Sequence, residues 1–184
     1  METILNSFLL VAATEMGDKT QLLALMLATR YRKPWAIMAA ILTATILNHF
    51  LAAVLGSWIS TQVSPEVMKW GLAIIFFAFA IWVLVPDKDE DLSPQAKYGA
   101  FLTTLVLFFL AEMGDKTQLS TVALALKYDS ILLVTIGTTL GMLFADGLAV
   151  FLGERLTKWI SLRLMRFVTA LLFVASGIAV LIGF

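Results

Sequence analysis

Apolar residues along this chain come in long blocks separated by short polar intervals, with few charges inside the blocks. An α-helix needs about 20 such residues to cross the hydrocarbon of a bilayer. Six blocks of suitable length are legible, over residues 4–28, 35–58, 67–85, 99–126, 131–152 and 164–184. The intervals carry turn chemistry. Thr29-Arg30-Tyr31-Arg32-Lys33-Pro34 is a basic connection whose proline suits the first turn of the next helix. Residues 60–65 form a polar turn, and Pro86-Asp87-Lys88-Asp89-Glu90-Asp91 through Pro94 reads as a solvated linker, dense in charge and helix breakers. The pattern predicts an all-α membrane protein with six transmembrane helices.

Two of the blocks carry the same interruption. Glu15-Met16-Gly17-Asp18-Lys19-Thr20-Gln21-Leu22 returns letter for letter as Glu112-Met113-Gly114-Asp115-Lys116-Thr117-Gln118-Leu119. A shift of 97 residues superimposes the copies and then aligns Arg30-Tyr31 with Lys127-Tyr128, Gly56 with Gly153, Lys69 with Arg166 and His49 with Asp146. This is an internal repeat of three helices, with residues 1–86 and 98–184 as its halves and 87–97 as an acidic cytoplasmic linker. Three spans is an odd number, so the second half enters the membrane from the side opposite to the first. Inverted-topology repeats of this kind characterise many secondary transporters.

Composition narrows the class further. With 60% hydrophobic and 14% charged residues the chain is not an ordinary soluble domain. A formal net charge of zero supplies no pull toward nucleic acid. The absence of cysteine removes disulfides, thiolate metal sites and cysteine nucleophiles together. Residues 1–7 carry no basic region and no small-residue cleavage site follows, so the first block reads as a retained span and not a signal peptide. Arg30, Arg32, Lys33, Lys88, Lys97, Arg155, Lys158, Arg163 and Arg166 fall on one side of the six-span arrangement, and only Lys69 and Lys127 on the other. The basic side belongs in the cytoplasm, which puts both termini outside it.

Charges buried in a bilayer cost several kcal/mol and mark function by default. On a regular helix Glu15 and Asp18 lie three apart and share a face, as do Glu112 and Asp115. Gln21 and Gln118 follow three residues later with neutral carbonyl oxygens. Gly17 and Gly114 permit close helix approach or local unwinding. If the two motifs face each other, four carboxylates and two amides line one cage of oxygen, the ligand set that hard cations such as Ca²⁺ and Mn²⁺ prefer. Four carboxylates and two lysines, Lys19 and Lys116, sum to minus two, which one dication neutralises. When the ion leaves, the like charges repel, and protons are the natural replacement.

The doubled E-x-G-D-K-T pattern, early in each three-helix half, resembles the calcium:cation antiporter-2 family, which includes Golgi manganese/calcium transporters and bacterial manganese exporters. The resemblance covers essentially the whole chain, and both copies of the motif are complete. It implies metal-site residues Glu15, Asp18, Glu112 and Asp115, and export of Mn²⁺ or Ca²⁺ from the cytoplasm, with Mn²⁺ first and H⁺ as counter-ion. The short chain looks like the bacterial branch, so the bacterial inner membrane is the expected location. The ion is cargo, and no resident cofactor is expected.

Other residues allow a bland reading beside a sharp one. The acids could simply pair with Lys19 and Lys116, or those lysines could point away toward lipid phosphate. Gln21 and Gln118 serve equally as ligands or as interhelical glue. Thr20 and Thr117 are expected to bond back to their own helix carbonyls. Met16 and Met113 read as gap-filling thioethers ahead of soft ligands. Asn48-His49 and Asp146, placed away from the mid-depth of the bilayer, could form a proton path leading to either face, and a lone buried histidine bonded to a neighbouring helix is the equal alternative. Trp35, Trp58, Trp70, Trp82 and Trp159 read as interfacial anchors. A passive divalent-cation channel and Na⁺ coupling remain as alternatives, and a homodimer is compatible with a small shell of six helices. An intramembrane metalloenzyme would need a nucleophile motif such as H-E-x-x-H or G-x-S-x-G, which the chain lacks.

Overall fold

The computed structural model describes residues 1–85, 99–153 and 162–183. They are helical throughout, with no strand among them: α1 (Glu2–Glu15), α2 (Lys19–Tyr31), α3 (Pro34–Ser60), α4 (Pro65–Trp82), α5 (Gly99–Glu112), α6 (Lys116–Tyr128), α7 (Ile131–Leu152) and α8 (Leu162–Gly183). The acidic linker over 87–97 lies outside the described residues, as do Arg155, Lys158 and Trp159.

α3, α4 and α7 are long and apolar enough to cross a membrane. Their boundaries fall close to the blocks expected at 35–58, 67–85 and 131–152. The blocks at 4–28 and 99–126 are not single helices. Each divides at its motif into a 14-residue and a 13-residue helix. At about 1.5 Å per residue neither piece reaches across some 30 Å of hydrocarbon alone. The cause is local. Gly17 at φ 86 and Gly114 at φ 77 take a left-handed turn that an L side chain resists, and Asp18 and Asp115 restart the chain as extended N-caps.

Packing exchanges the halves. α1 lies along α7 and α5 along α3, so each half's first helix is seated on the second block of the other. Glycine sets the closeness of the first contact. A Cβ on Gly137 would stand 2.7 Å from the Ile4 carbonyl oxygen, and one on Gly141 2.7 Å from that of Phe8. Gly56 brings α3 closer still to the backbone of α6 at Val122. Two cores result, one around Phe76, Phe173 and Leu72, the other around Ile37, Leu27 and Phe108.

The exterior is apolar and the interior holds the polar groups. Trp35, Ile81 and Ile182 are among the most exposed side chains, whereas Glu15, Glu112, Asp146, His49 and Asn48 are wholly buried. That inversion of the soluble pattern suits a hydrocarbon solvent, and the protein is an integral membrane protein.

Repeat symmetry reaches into side chains. Tyr128 Oη accepts from Asn6 Nδ2 at 2.8 Å, and the repeat-related Tyr31 Oη donates to Thr103 Oγ1 at 3.3 Å. Each tyrosine fastens the end of a second half-helix to the first half-helix of the other repeat.

Candidate metal site

Each motif folds into the same junction. Gln21 Oε1 accepts from Gly17 N at 2.8 Å, and Gln118 Oε1 from Gly114 N at 2.7 Å. These amides hold the backbone where the glycine has broken the helix. Gln21 Nε2 also donates to Ala145 O at 2.8 Å, docking the junction on α7. Both side-chain polar atoms of Gln21 are thus engaged in structural hydrogen bonds.

The break overturns the expectation that Glu15 and Asp18 share a regular helical face. Glu15 is the last residue of α1 and Asp18 the N-cap of α2; Glu112 and Asp115 repeat the arrangement. Glu15 and Glu112 therefore stand at helix C-termini, whose partial negative charge favours a cation. Asp115 Oδ1 caps α6 by accepting from Gln118 N at 2.7 Å, while Asp18 makes no such cap on α2.

Glu15, Glu112 and Asp115 converge. Each offers one carboxylate oxygen, and the three lie within 4.8 Å of one another, all from buried residues. Oxygens on opposite sides of Ca²⁺ at about 2.4 Å are themselves about 4.8 Å apart, so this set is compact enough to share one ion. Asp18 is buried but is not part of the converging three.

The two glutamates are supported unequally. Glu15 accepts from Thr20 Oγ1 at 2.6 Å and from Thr117 Oγ1 of the opposite motif. These threonines do not bond back to helix carbonyls as expected; they sit in the first turn after the break, where the hydroxyls turn toward the acid. Their place directly after each motif lysine was the available signal. Both oxygens of Glu112 and Oδ2 of Asp115 accept no hydrogen bond. Buried carboxylate oxygens without donors are costly unless a cation or proton meets them.

The lysines differ too. Lys116 is buried, its ammonium 5.9 Å from the centre of the Trp82 ring, and Lys19 is half-buried. Lys116 thus does not reach out to lipid, and Trp82 serves the motif as well as the surface. Met16 is buried against Gln21, with Sδ 3.4 Å from Nε2, and Met113 is 57% exposed on the outside.

Asn48 Nδ2 donates to Phe109 O at 3.1 Å, tying α3 to α5. Neither ring nitrogen of His49 has a hydrogen-bond partner, so a histidine bonded to a neighbouring helix is not what the structure holds. Asp146 follows directly on Ala145, whose carbonyl holds the Gln21 amide of the first motif, so the structure brings it beside that junction.

An apolar helical shell closed around converging carboxylates, with half-helix ends aimed at them, defines a membrane transporter for cations. Comparison with known proteins gives the family. Residues 3–91 and 100–183 match the model of the divalent cation/proton antiporter GDT1 family, and the chain belongs to that family. It is a transporter and not an enzyme. A Vibrio cholerae relative named "Putative manganese exporter" is 44% identical over 97% of this chain and 90% of its own. GDT1-like protein 3 of Arabidopsis thaliana is 28% identical over 97% of this chain and 70% of its own. A GDT1-like protein of Synechocystis is 25% identical over 90% of this chain and 89% of its own. No solved structure matches the chain.

Proposed function

We propose that this protein is a secondary active transporter that exports Mn²⁺, and Ca²⁺ next, from the cytoplasm in exchange for H⁺. In this reading α1–α2 and α5–α6 each cross the membrane once as a broken helix. With α3, α4, α7 and α8 they make six spans in two inverted three-helix repeats, in a bacterial inner membrane with both termini outside the cytoplasm.

One observation carries the reading: oxygens of Glu15, Glu112 and Asp115, drawn from both motifs, lie within 4.8 Å of one another in a buried site. A dication answers the unpartnered oxygens of Glu112 and Asp115, and protons answer the same need when it leaves. With Asp18 the motif carboxylates number four against two lysines, so one dication or two protons leave the site neutral. Helix direction supports the topology. Ile4 meets Gly137 while Phe8 and Ala12 meet Gly141, so α1 and α7 run parallel, as first and fifth spans must. The name of the Vibrio relative supports Mn²⁺ over Ca²⁺.

Flux in proteoliposomes tests the reading. An imposed pH gradient should drive Mn²⁺ uphill, with protons moving the other way, and Ca²⁺ should compete. Glu15→Gln and Glu112→Gln should each abolish the flux. Metal that only runs downhill would indicate a channel, and a Na⁺ gradient that replaces the pH gradient would indicate sodium coupling. Full transport by either glutamine variant would remove that residue from the site.

A further inference from the structure

We propose that Asp146, outside both motifs, is a further carboxylate of the translocation site and sets its affinity for the dication. The inference rests on the antiporter reading and names a residue that the doubled motif does not reveal.

Three observations converge on it. The first is placement. Gly141 lets α7 close on Phe8 and Ala12 of α1, and Asp146 lies five residues further along α7 as Glu15 lies three beyond Ala12 on the parallel α1. The second is docking. Gln21 Nε2 bonds to Ala145 O, so the first motif junction is fixed to the backbone immediately before Asp146. The third is the state of the side chain. Asp146 is fully buried, and both of its oxygens lack a hydrogen-bond partner.

A structural role does not explain the residue. A carboxylate that accepts no hydrogen bond adds nothing to packing that an apolar group of its size would not. The repeat-related position in α3 is His49, equally buried and likewise without partners, so the fold does not require an acid there. What an additional acid supplies is negative potential in a space of low dielectric, where charge acts strongly on a nearby ion. The half carrying Asp146 thereby differs from the half carrying His49, and the site is asymmetric although the motifs are identical.

The test is Mn²⁺ flux by Asp146→Asn in proteoliposomes, beside wild type and Glu112→Gln. The expected result is a KM for Mn²⁺ raised tenfold or more with maximal rate within threefold, an unchanged melting temperature, and restoration of KM to within threefold by Asp146→Glu. A wild-type KM in Asp146→Asn while Glu112→Gln is inactive would overturn this inference and leave the antiporter reading standing. Full activity in Glu112→Gln would overturn the reading of the motif site itself. If Asp146→Asn does not reach the membrane, Asp146→Ser carries the same comparison; absence of both would give Asp146 a structural role and end the proposal.

Discussion

Replacing single glycines by alanine probes how closely the halves are pressed together. At Gly141 the added Cβ would lie 2.7 Å from Phe8 O, 2.9 Å from Ala12 N and 3.1 Å from Val11 Cβ. Two of those atoms are backbone, so relief requires α1 and α7 to separate by about half an ångström. Overpacking of this kind costs about 1–3 kcal/mol. At Gly56 an added Cβ would press still harder on the Val122 carbonyl oxygen, and the cost should sit at the upper end. At Gly177 the obstacle is the Phe77 ring at 2.9 Å, a side chain that can move, and the cost should be smaller. At Gly71 nothing lies within 4 Å, and alanine should stabilise the helix by about 0.5–1 kcal/mol. Thermal unfolding of the four purified variants in detergent should therefore rank Gly71→Ala above wild type, then Gly177→Ala, then Gly141→Ala, with Gly56→Ala lowest. Gly141→Ala should also slow Mn²⁺ flux, because Glu15 rides on α1 one turn beyond the clash. If Gly141→Ala and Gly71→Ala melt together and transport equally, the exchanged packing of α1 on α7 is wrong.

Three further outcomes follow from the junctions and latches. Gly114→Ala should impair transport through backbone conformation alone, since open space surrounds its Cβ position but φ is 77; Gly114→Asn, better tolerated in left-handed conformations, should retain more flux. Thr117→Val should raise the KM for Mn²⁺ about tenfold, because it strips a donor from Glu15, a loss of about 1–3 kcal/mol, and Thr117→Ser should restore it. Tyr128→Phe should destabilise the fold by the value of one hydrogen bond, about 0.5–1.5 kcal/mol, and Tyr31→Phe by less, its bond being longer, both read as a lowered melting temperature.

The doubled motif was visible in the letters, and so were the bounds of α3 and α7, because both rest on local pattern. What the letters did not disclose was the break itself. Gly17 and Gly114 allow a left-handed turn without demanding one, and only the docking of Gln21 and Gln118 on the freed amides decides the matter. A spacing argument that assumed continuous helix therefore put Glu15 and Asp18 on one face, when the chain turns between them. The threonines were misjudged for the same reason: their place in the motif marked them, but Thr117 reaches Glu15 across the repeat boundary, and spacing within one copy does not show that pairing. Asp146 was seen as a buried acid, but the docking of the Gln21 amide on the backbone just before it was not. Its distance from the motif depends on how tightly Gly137 and Gly141 draw α7 onto α1, and that is a property of packing.

The seating of α1 on α7 and of α5 on α3 means that neither repeat owns a complete interior. Severed in the linker, the two pieces would each present an unfilled groove whose proper occupant is on the other piece, and they should recover a working fold only when made together. The same interlock makes the transporter behave as one mechanical unit: a tilt of either repeat drags the other's leading helix, and with it a glutamate, along.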